Sequence, residues 1–285
     1  MEFKSAKELL SLCKEHDMPI SAVMRTRECV LGETDENSVD ARMARAWDIM
    51  RTSAQEPLTT PLRSMGGLIG GESRKLNEHC AASRSILGPV LARATAYAMA
   101  VLEINASMGL IVAAPTAGSA GVVPGVLLAL QEERGFSDET MIRTLFNAGA
   151  VGYLAMRNAT VAGAVGGCQA EVGVAAAMAA SAAVELLDGT PEQCLDAATT
   201  VLMNMLGLVC DPVGGLVEYP CQNRNAAGAA NALVAAELAL SGVRQHIPFD
   251  KMLETMYAVG RRMPAELRET ALGGCASCGV CTILS

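Results

Sequence analysis

The sequence predicts an all-α fold, a bundle of buried helices rich in Ala and Gly. Hydrophobic residues make up 51% of the 285-residue chain but aromatic residues only 3%. Most of the apolar content is therefore Ala, Val, Leu and Met, which suits helices that pack closely together. No segment alternates polar and apolar residues with a period of two for long enough to predict a strand.

The first 55 residues predict a separate region of amphipathic helices. We place these helices at Ala6–His16, Ile20–Val30 and Asn37–Arg51. Apolar residues recur at helical spacing in the third, at Val39, Met43, Ala46 and Met50. A loop rich in Pro and Gly follows over residues 53–75, and its glycine and hydroxyl residues suit either a linker or a binding loop.

The main all-α domain is predicted over residues 56–274, followed by a cysteine-rich tail over residues 275–285. Its helices are placed near residues 88–105, 122–134, 138–156, 170–187, 191–206, 225–241 and 249–263. Asp138 and Thr190 are the predicted N-caps of two of them, and Thr190 is followed by Pro191 at the first helical position.

Charge and hydropathy exclude several classes of protein. The net charge of −8 argues against a nucleic-acid partner, which requires a basic surface. The N-terminus lacks an apolar signal core, and ten cysteines without such a signal predict a reducing cytoplasm. Residues 107–130 carry no charge and are long enough to span a bilayer. Prolines and glycines interrupt them, so we predict a buried loop between two helices and no membrane insertion.

Three glycine-rich stretches interrupt the apolar helices, at residues 113–125, 158–173 and 210–225, and they contain Cys168, Cys210 and Cys221. Cys168 is predicted at a helix start, which lowers the pKa of a thiol. Three cysteines on such turns would suit a cubane iron–sulfur cluster with one iron left without a protein ligand. Small buried side chains are the alternative, because separations of 42 and 11 positions match no compact metal signature.

Four motifs add a resemblance to a known family. The segments "PTAGSAGVVPG", "GGCQAEVG", "NMLGLVCDPVGGLVEYPCQNRNAAGAANA" and "MPAELRETALGG" occur in this order. Together they resemble the α chain of the iron–sulfur-dependent L-serine dehydratases, over about residues 60–274. The resemblance implies an all-α catalytic unit with glycine-rich loops converging on a [4Fe–4S] cluster held by Cys168, Cys210 and Cys221. It also implies conversion of L-serine to pyruvate and ammonia, with the open iron as Lewis acid.

Several polar residues are candidates for the substrate and the proton transfer. A substrate carboxylate needs donors, and Thr116 and Ser119 lie on a turn before a predicted helix, where backbone N–H groups are exposed. Ser73, Asn223 and Arg224 are further binding candidates, with a solvated charge as the alternative for Arg224. Glu171 follows Cys168 by three residues and is predicted to accept a hydrogen bond beside the cluster.

The general base is the least defined part of the predicted site. His79 follows the glycine-rich loop and is the best candidate among three histidines, whereas Lys75 is a weaker catalytic candidate, for a Schiff base, and a loop donor for the substrate. The resemblance implies that the histidine-bearing motifs of the family lie in a separate β domain or β chain. We therefore predict that a β chain completes the site, and that the protein is an oligomer.

Two alternatives to serine dehydration remain open. The same Lewis-acid step would serve L-threonine or L-cysteine, and a non-catalytic iron–sulfur redox or sensor subunit would also need the cluster. The tail has a C-x-x-C-x-x-C spacing through Cys275, Cys278 and Cys281. Cys278 or Cys281 is predicted to cap the open iron when substrate is absent, with thiols that have no role as the alternative.

Overall fold

The computed structural model describes residues 1–279. Within these residues the fold is all-α, which confirms the predicted class, and the one β-type feature is an isolated parallel bridge between Cys210 and Arg268. The α-helices of this region, α1 to α12 in chain order, are Ala6–His16, Ile20–Leu31, Glu36–Gln55, Glu72–Ala81, Pro89–Ala106, Val122–Arg134, Asp138–Asn158, Gly163–Gly166, Val174–Leu186, Pro191–Asn204, Cys221–Leu240 and Phe249–Arg262.

Of the two predicted N-caps, Thr190 is confirmed and Asp138 is wrong. Thr190 caps α10, because its side chain accepts from the backbone N–H of Gln193 while the Gln193 side chain accepts from the N–H of Thr190. Asp138 is not the cap of α7. Ser137 takes that position, and its hydroxyl oxygen accepts from the N–H of Thr140 at 3.2 Å. Asp138 is the first helical residue.

Helices α4 and α11 differ most from the prediction, and the short helix α8 lies in a stretch that was predicted to be irregular. Residues 72–81 form α4, which the sequence analysis placed partly in the loop over 53–75 and otherwise left without a helix. Helix α11 begins at Cys221 instead of near residue 225, directly after Pro220. Cys221, Asn223 and Arg224 are therefore in the first turn of a helix and not in an irregular loop.

Helix α9 forms the centre of the bundle. It is thirteen residues long, and all of its residues except Glu185 are buried. It packs against α6, α7, α10 and α11. Seven of its positions are alanine, so the neighbouring backbones can approach closely. The result is a closely packed helical frame to which the glycine-rich stretches are joined.

Helices α5 and α6 show the closest backbone approach. A Cβ atom at Gly121 would overlap the carbonyl oxygen of Ala98, and one at Gly125 would lie 2.7 Å from the carbonyl oxygen of Ala94. The two glycines lie at the start of α6. They bring the turn that carries Thr116, just before α6, against the helix α5.

The N-terminal helices contribute to the same hydrophobic core as the rest of the chain. Phe3 and Trp47 are among its largest fully buried side chains, and α2 packs against α7. The division of the chain at residue 55 and at residue 274 stays a prediction.

The uncharged run over residues 107–130 divides into an extended segment, a 3₁₀ turn at Ala117–Ser119 and most of α6. The loop is only partly buried, contrary to the prediction, because Leu110 is 68% exposed. Among residues 1–279, no helix combines the length and the apolar character needed to cross a bilayer.

Because α5 and α6 are in close contact, a methyl group added at position 121 is expected to reduce the stability of the fold. We expect Gly121→Ala to lower the free energy of unfolding by about 1–3 kcal/mol, because the backbone of Ala98 must move. Gly88→Ala is the control, since nothing lies within 4 Å of a Cβ atom there. Urea unfolding followed by circular dichroism measures both. Equal stabilities of the two variants would contradict the close approach.

Candidate active site around three buried cysteines

Three cysteines are brought to the core from three separate segments. Cys168 follows the short helix α8 and precedes the π-helical turn Gln169–Gly173. Cys210 lies in irregular backbone after α10, and Cys221 is the first residue of α11. All three are buried and none forms a disulfide. The site therefore combines a residue before a π turn (Cys168), a loop residue (Cys210) and the first residue of a helix (Cys221).

The thiols of Cys168 and Cys210 lie close enough to influence each other's pKa. The neighbouring Cys210 thiol lowers the pKa of Cys168, and the Cys168 thiol, together with burial, raises the pKa of Cys210. Burial raises the pKa of Cys221 to about 12, and the charge of Cys168 adds to this increase. The predicted direction for Cys168 is therefore confirmed, but its main cause is the neighbouring thiol and not a helix terminus.

Gln169 fixes the backbone around Cys168. Its side-chain amide donates to the carbonyl oxygens of Gly166 at 2.8 Å and Met256 at 2.9 Å, and its side-chain oxygen accepts from the N–H of Gly207 at 2.8 Å. Gly167, the residue before Cys168, has a φ of +75°, and a Cβ atom there would lie 2.8 Å from the carbonyl oxygen of Leu208. Position 167 therefore requires glycine for both its conformation and its close packing.

Glu171 lies between Cys210 and the turn of Thr116. Its carboxylate accepts from the Thr116 hydroxyl at 2.9 Å and from the Cys210 thiol at 3.6 Å. The expected hydrogen bond beside the cysteines is thus present. Burial raises the pKa of Glu171, and the nearby charge of Glu269 acts in the same direction. Glu171 is therefore a partly buried carboxyl group able to hold a proton close to the thiols.

The turn Ala117–Ser119 is closed by Thr116 and Ser119. The two hydroxyl oxygens lie 3.0 Å apart, and the Ser119 side chain is fully buried inside the turn. Asn225, on α11, holds this turn against the first turn of α11. It donates to the carbonyl oxygens of Gly118 and Cys221 at 2.8 and 2.9 Å, and accepts from the N–H of Gly121 at 3.1 Å. Asn225 thus links the Thr116 turn to Cys221.

Arg224 is held in the site by Asp211. The guanidinium Nη1 lies 2.6 Å from Asp211 Oδ1 and donates to the carbonyl oxygen of Val209 at 2.9 Å. The Arg224 side chain is only 16% exposed, which rules out the alternative of a solvated charge. Burial would raise the pKa of Asp211, but the N–H of Cys275 and the charge of Arg224 lower it overall. Asn223, by contrast, is exposed.

The segment after α12 packs against the Cys210 loop. The N–H of Cys210 donates to Leu267 at 2.9 Å, and the carbonyl oxygen of Cys210 accepts from the N–H of Glu269 at 2.6 Å. The N–H of Cys275 donates to Asp211 Oδ2 at 2.6 Å. The beginning of the predicted tail is therefore anchored one residue away from Cys210. Cys278 is exposed, and Cys281 lies outside the described residues.

The three candidates on α4 are divided between core and surface. The Ser73 side chain is fully buried, and its backbone N–H donates to Glu103 Oε1 at 2.8 Å. The side chain of Lys75 is 73% exposed, and His79 is exposed as well. Among the described residues, neither Lys75 nor His79 forms a hydrogen bond with the cysteines or with Glu171.

The chemistry of the three donors, all thiols, fits the ligands that an iron–sulfur cluster prefers. Within residues 1–279, no group of three or more His, Cys, Asp and Glu side chains is arranged around one ion position. A cubane takes one thiolate per iron, so its ligands need not surround a single point, and thiolates are its preferred donors. Gly163 also keeps the site open, since a Cβ atom there would lie 3.0 Å from the Cys210 sulfur.

The residues that hold the site together were not among the predicted site residues. Gln169, Asp211 and Asn225 each satisfy two or more polar groups of the loops. All three lie within the stretches that were singled out for their glycines and cysteines. Their position among small apolar residues could have indicated their role, because a polar side chain that is buried in such surroundings needs a hydrogen-bond partner.

Comparisons with known proteins identify the family of the chain. The model of the family "Serine dehydratase alpha chain" matches residues 15–276. The "Probable L-serine dehydratase, alpha chain" of Bacillus subtilis is 47% identical over 275 residues, which cover 96% of this chain and 91% of that protein. The "L-serine dehydratase, alpha chain" of Peptoniphilus asaccharolyticus is 43% identical over 272 residues, or 95% and 93% of the two chains. An "L-serine dehydratase" of Streptomyces coelicolor is 39% identical over 280 residues, with 96% of this chain and 60% of that protein covered. The chain therefore belongs to the serine dehydratase alpha-chain family.

Proposed function

We propose that this chain is the cluster-binding α chain of an L-serine dehydratase, which converts L-serine to pyruvate and ammonia. The observation that carries the proposal is that three buried cysteines, Cys168, Cys210 and Cys221, occur with a partly buried carboxyl group, Glu171, that contacts Cys210, in a member of this family. Relatives named as α chains of L-serine dehydratase match nearly the whole chain, which supports the same substrate.

The three cysteines would hold a [4Fe–4S] cluster through their thiolates. When bound, the cluster supplies a Lewis acid at its open iron, which assists departure of the serine hydroxyl, a poor leaving group. The charge of Arg224, kept close to Cys168 by Asp211, stabilises the thiolate form of the site. The remaining N–H groups of Arg224 form no hydrogen bond within the described residues, so they are available to a substrate carboxylate.

Glu171 and Thr116 would act on protons at the same place. Burial favours the protonated form of Glu171, so its carboxyl group can donate a proton to a departing hydroxide. The hydroxyl of Thr116 fixes one carboxyl oxygen of Glu171 and leaves the other directed to Cys210. Ser119 shapes the Thr116 turn from inside, and Ser73 and Asn223 remain candidates for the substrate.

The base that removes the α-proton would come from a β chain. Lys75 and His79 are exposed and do not contact the cysteines. The "L-serine dehydratase" of Streptomyces coelicolor is a longer protein, of which this chain covers 60%. We therefore propose that the α chain provides the cluster, the Arg224 charge and the Glu171 proton, and that a β chain provides the base.

Cluster binding is tested by anaerobic reconstitution with iron and sulfide. We expect about four irons per chain and a visible charge-transfer absorption band. Cys168→Ala, Cys210→Ala and Cys221→Ala should each lose most of the bound iron. Cys194→Ala is the matched control, because Cys194 is equally buried but contacts Asn147 elsewhere in the core. Full iron loading of Cys210→Ala would refute the assignment.

The need for a β chain is tested by pyruvate release from L-serine, measured with the reconstituted chain alone and after addition of a β chain of the same enzyme. We expect activity to depend on the β chain, and L-threonine and L-cysteine to be turned over with lower kcat/KM than L-serine. If the chain alone is equally active, the base lies in this chain, and His79→Ala should then abolish turnover. Normal cluster loading without turnover in either assay would favour the redox or sensor alternative.

A further inference from the structure

A second buried carboxylate lies in the segment between Cys210 and Cys221. Glu218 is 2% exposed, yet within residues 1–279 no lysine or arginine pairs with it. Its oxygens accept from the Ser64 hydroxyl at 2.7 Å, from the N–H of Gly66 at 2.6 Å and from the N–H of Leu68 at 3.0 Å. The glycine-rich loop at residues 64–69 thus surrounds a carboxylate of its own chain, which satisfies the buried charge with three donors.

The loop can approach Glu218 because it contains glycine at the contact. A Cβ atom at Gly66 would overlap the Leu216 side chain and would lie 3.0 and 3.1 Å from the two Glu218 oxygens. Ser64 and Ile69 close the loop, since the N–H of Ser64 donates to the carbonyl oxygen of Ile69 and the N–H of Ile69 donates to the Ser64 hydroxyl. The loop is therefore shaped around the carboxylate and not simply next to it.

Glu218 is also connected to Cys221. The carbonyl oxygen of Glu218 accepts from the N–H of Gln222 at 2.9 Å. The Gln222 side chain in turn donates to Glu103 Oε1 at 2.9 Å, and the same oxygen accepts from the N–H of Ser73 at the start of α4. Two buried carboxylates thus attach Glu218, three residues before Cys221, and Gln222, directly after it, to residues 64–73.

We propose that Glu218 is a positioning residue, which binds the loop 64–69 to the Cys210–Cys221 segment and thereby fixes the Cys221 thiol. The part of this inference that concerns the metal-free chain stands on the contacts alone, and the part that concerns the cluster rests on the proposed function. A carboxylate is required, because all three partners are donors. Glutamine would turn an NH₂ group, itself a donor, toward at least one of them.

The test begins with the metal-free chain. Each thiol is alkylated with iodoacetamide under native conditions, and the rate at each cysteine is followed by mass spectrometry. In Glu218→Gln we expect the rate at Cys221 to rise about tenfold or more, because a charge-assisted hydrogen bond is lost. The rate at Cys194, which lies in the core next to Asn147, should stay unchanged.

The matched control is Glu185→Gln. Glu185 is another largely buried carboxylate that accepts from a backbone N–H and a side-chain amide, at Ser21 and Asn147. Its substitution should leave the rate at Cys221 unchanged. Ser64→Ala removes one donor of Glu218 with a smaller change to the fold and serves if Glu218→Gln does not fold. The effects of Ser64→Ala and Glu218→Gln on the alkylation rate at Cys221 should be non-additive in the double variant.

The iron-loaded chain gives the second readout. Release of iron to a chelator should be faster by about tenfold in Glu218→Gln than in Glu185→Gln. Unchanged alkylation of Cys221 in a folded Glu218→Gln variant would overturn the proposal, as would an equal increase at Cys194, which would indicate general loosening. If the native chain binds no iron but the alkylation result holds, the positioning role stands and the proposed function fails.

Discussion

The structure depends on one constraint, that irregular backbone buried in a helical bundle must find partners for its polar groups. The cysteines lie on or beside such backbone, where helical hydrogen bonds are missing. Gln169, Asn225 and Asp211 replace them with side-chain contacts between 2.6 and 3.1 Å. The same polar side chains that satisfy the loops also set the positions of the thiols, so stability and site geometry share one set of contacts.

The helical frame makes this arrangement possible. Helix α9 is rich in alanine and almost entirely buried, and the glycines at the start of α6 allow α5 to approach. Side chains of this size leave little freedom for one helix to shift against another, because the backbones are already in contact. The loops at the ends of these helices therefore start from fixed points. A cluster site needs such support, since its ligands come from segments far apart in the sequence.

The sequence predicted those elements whose signal is local. The boundaries of α1 and the capping box of Thr190 could be read directly, because amphipathic spacing and cap chemistry involve neighbouring residues. Helix α4 was missed because residues 72–81 are mostly polar, and only Ser73 among them is buried. Helix α11 was started too late because Pro220 and the glycines before it suggested a longer loop.

The partners in the site could not be predicted, because they depend on tertiary contacts. The motifs drew attention to Glu171 and Arg224, but not to the ion pair of Arg224 with Asp211 or to the loop around Glu218. The most direct measurement is Mössbauer spectroscopy of the iron-loaded chain with its β chain, before and after addition of L-serine. The account predicts that one iron of the cluster changes its signal, because the other three are held by Cys168, Cys210 and Cys221. A spectrum in which no iron responds to L-serine, or in which all respond equally, would contradict it.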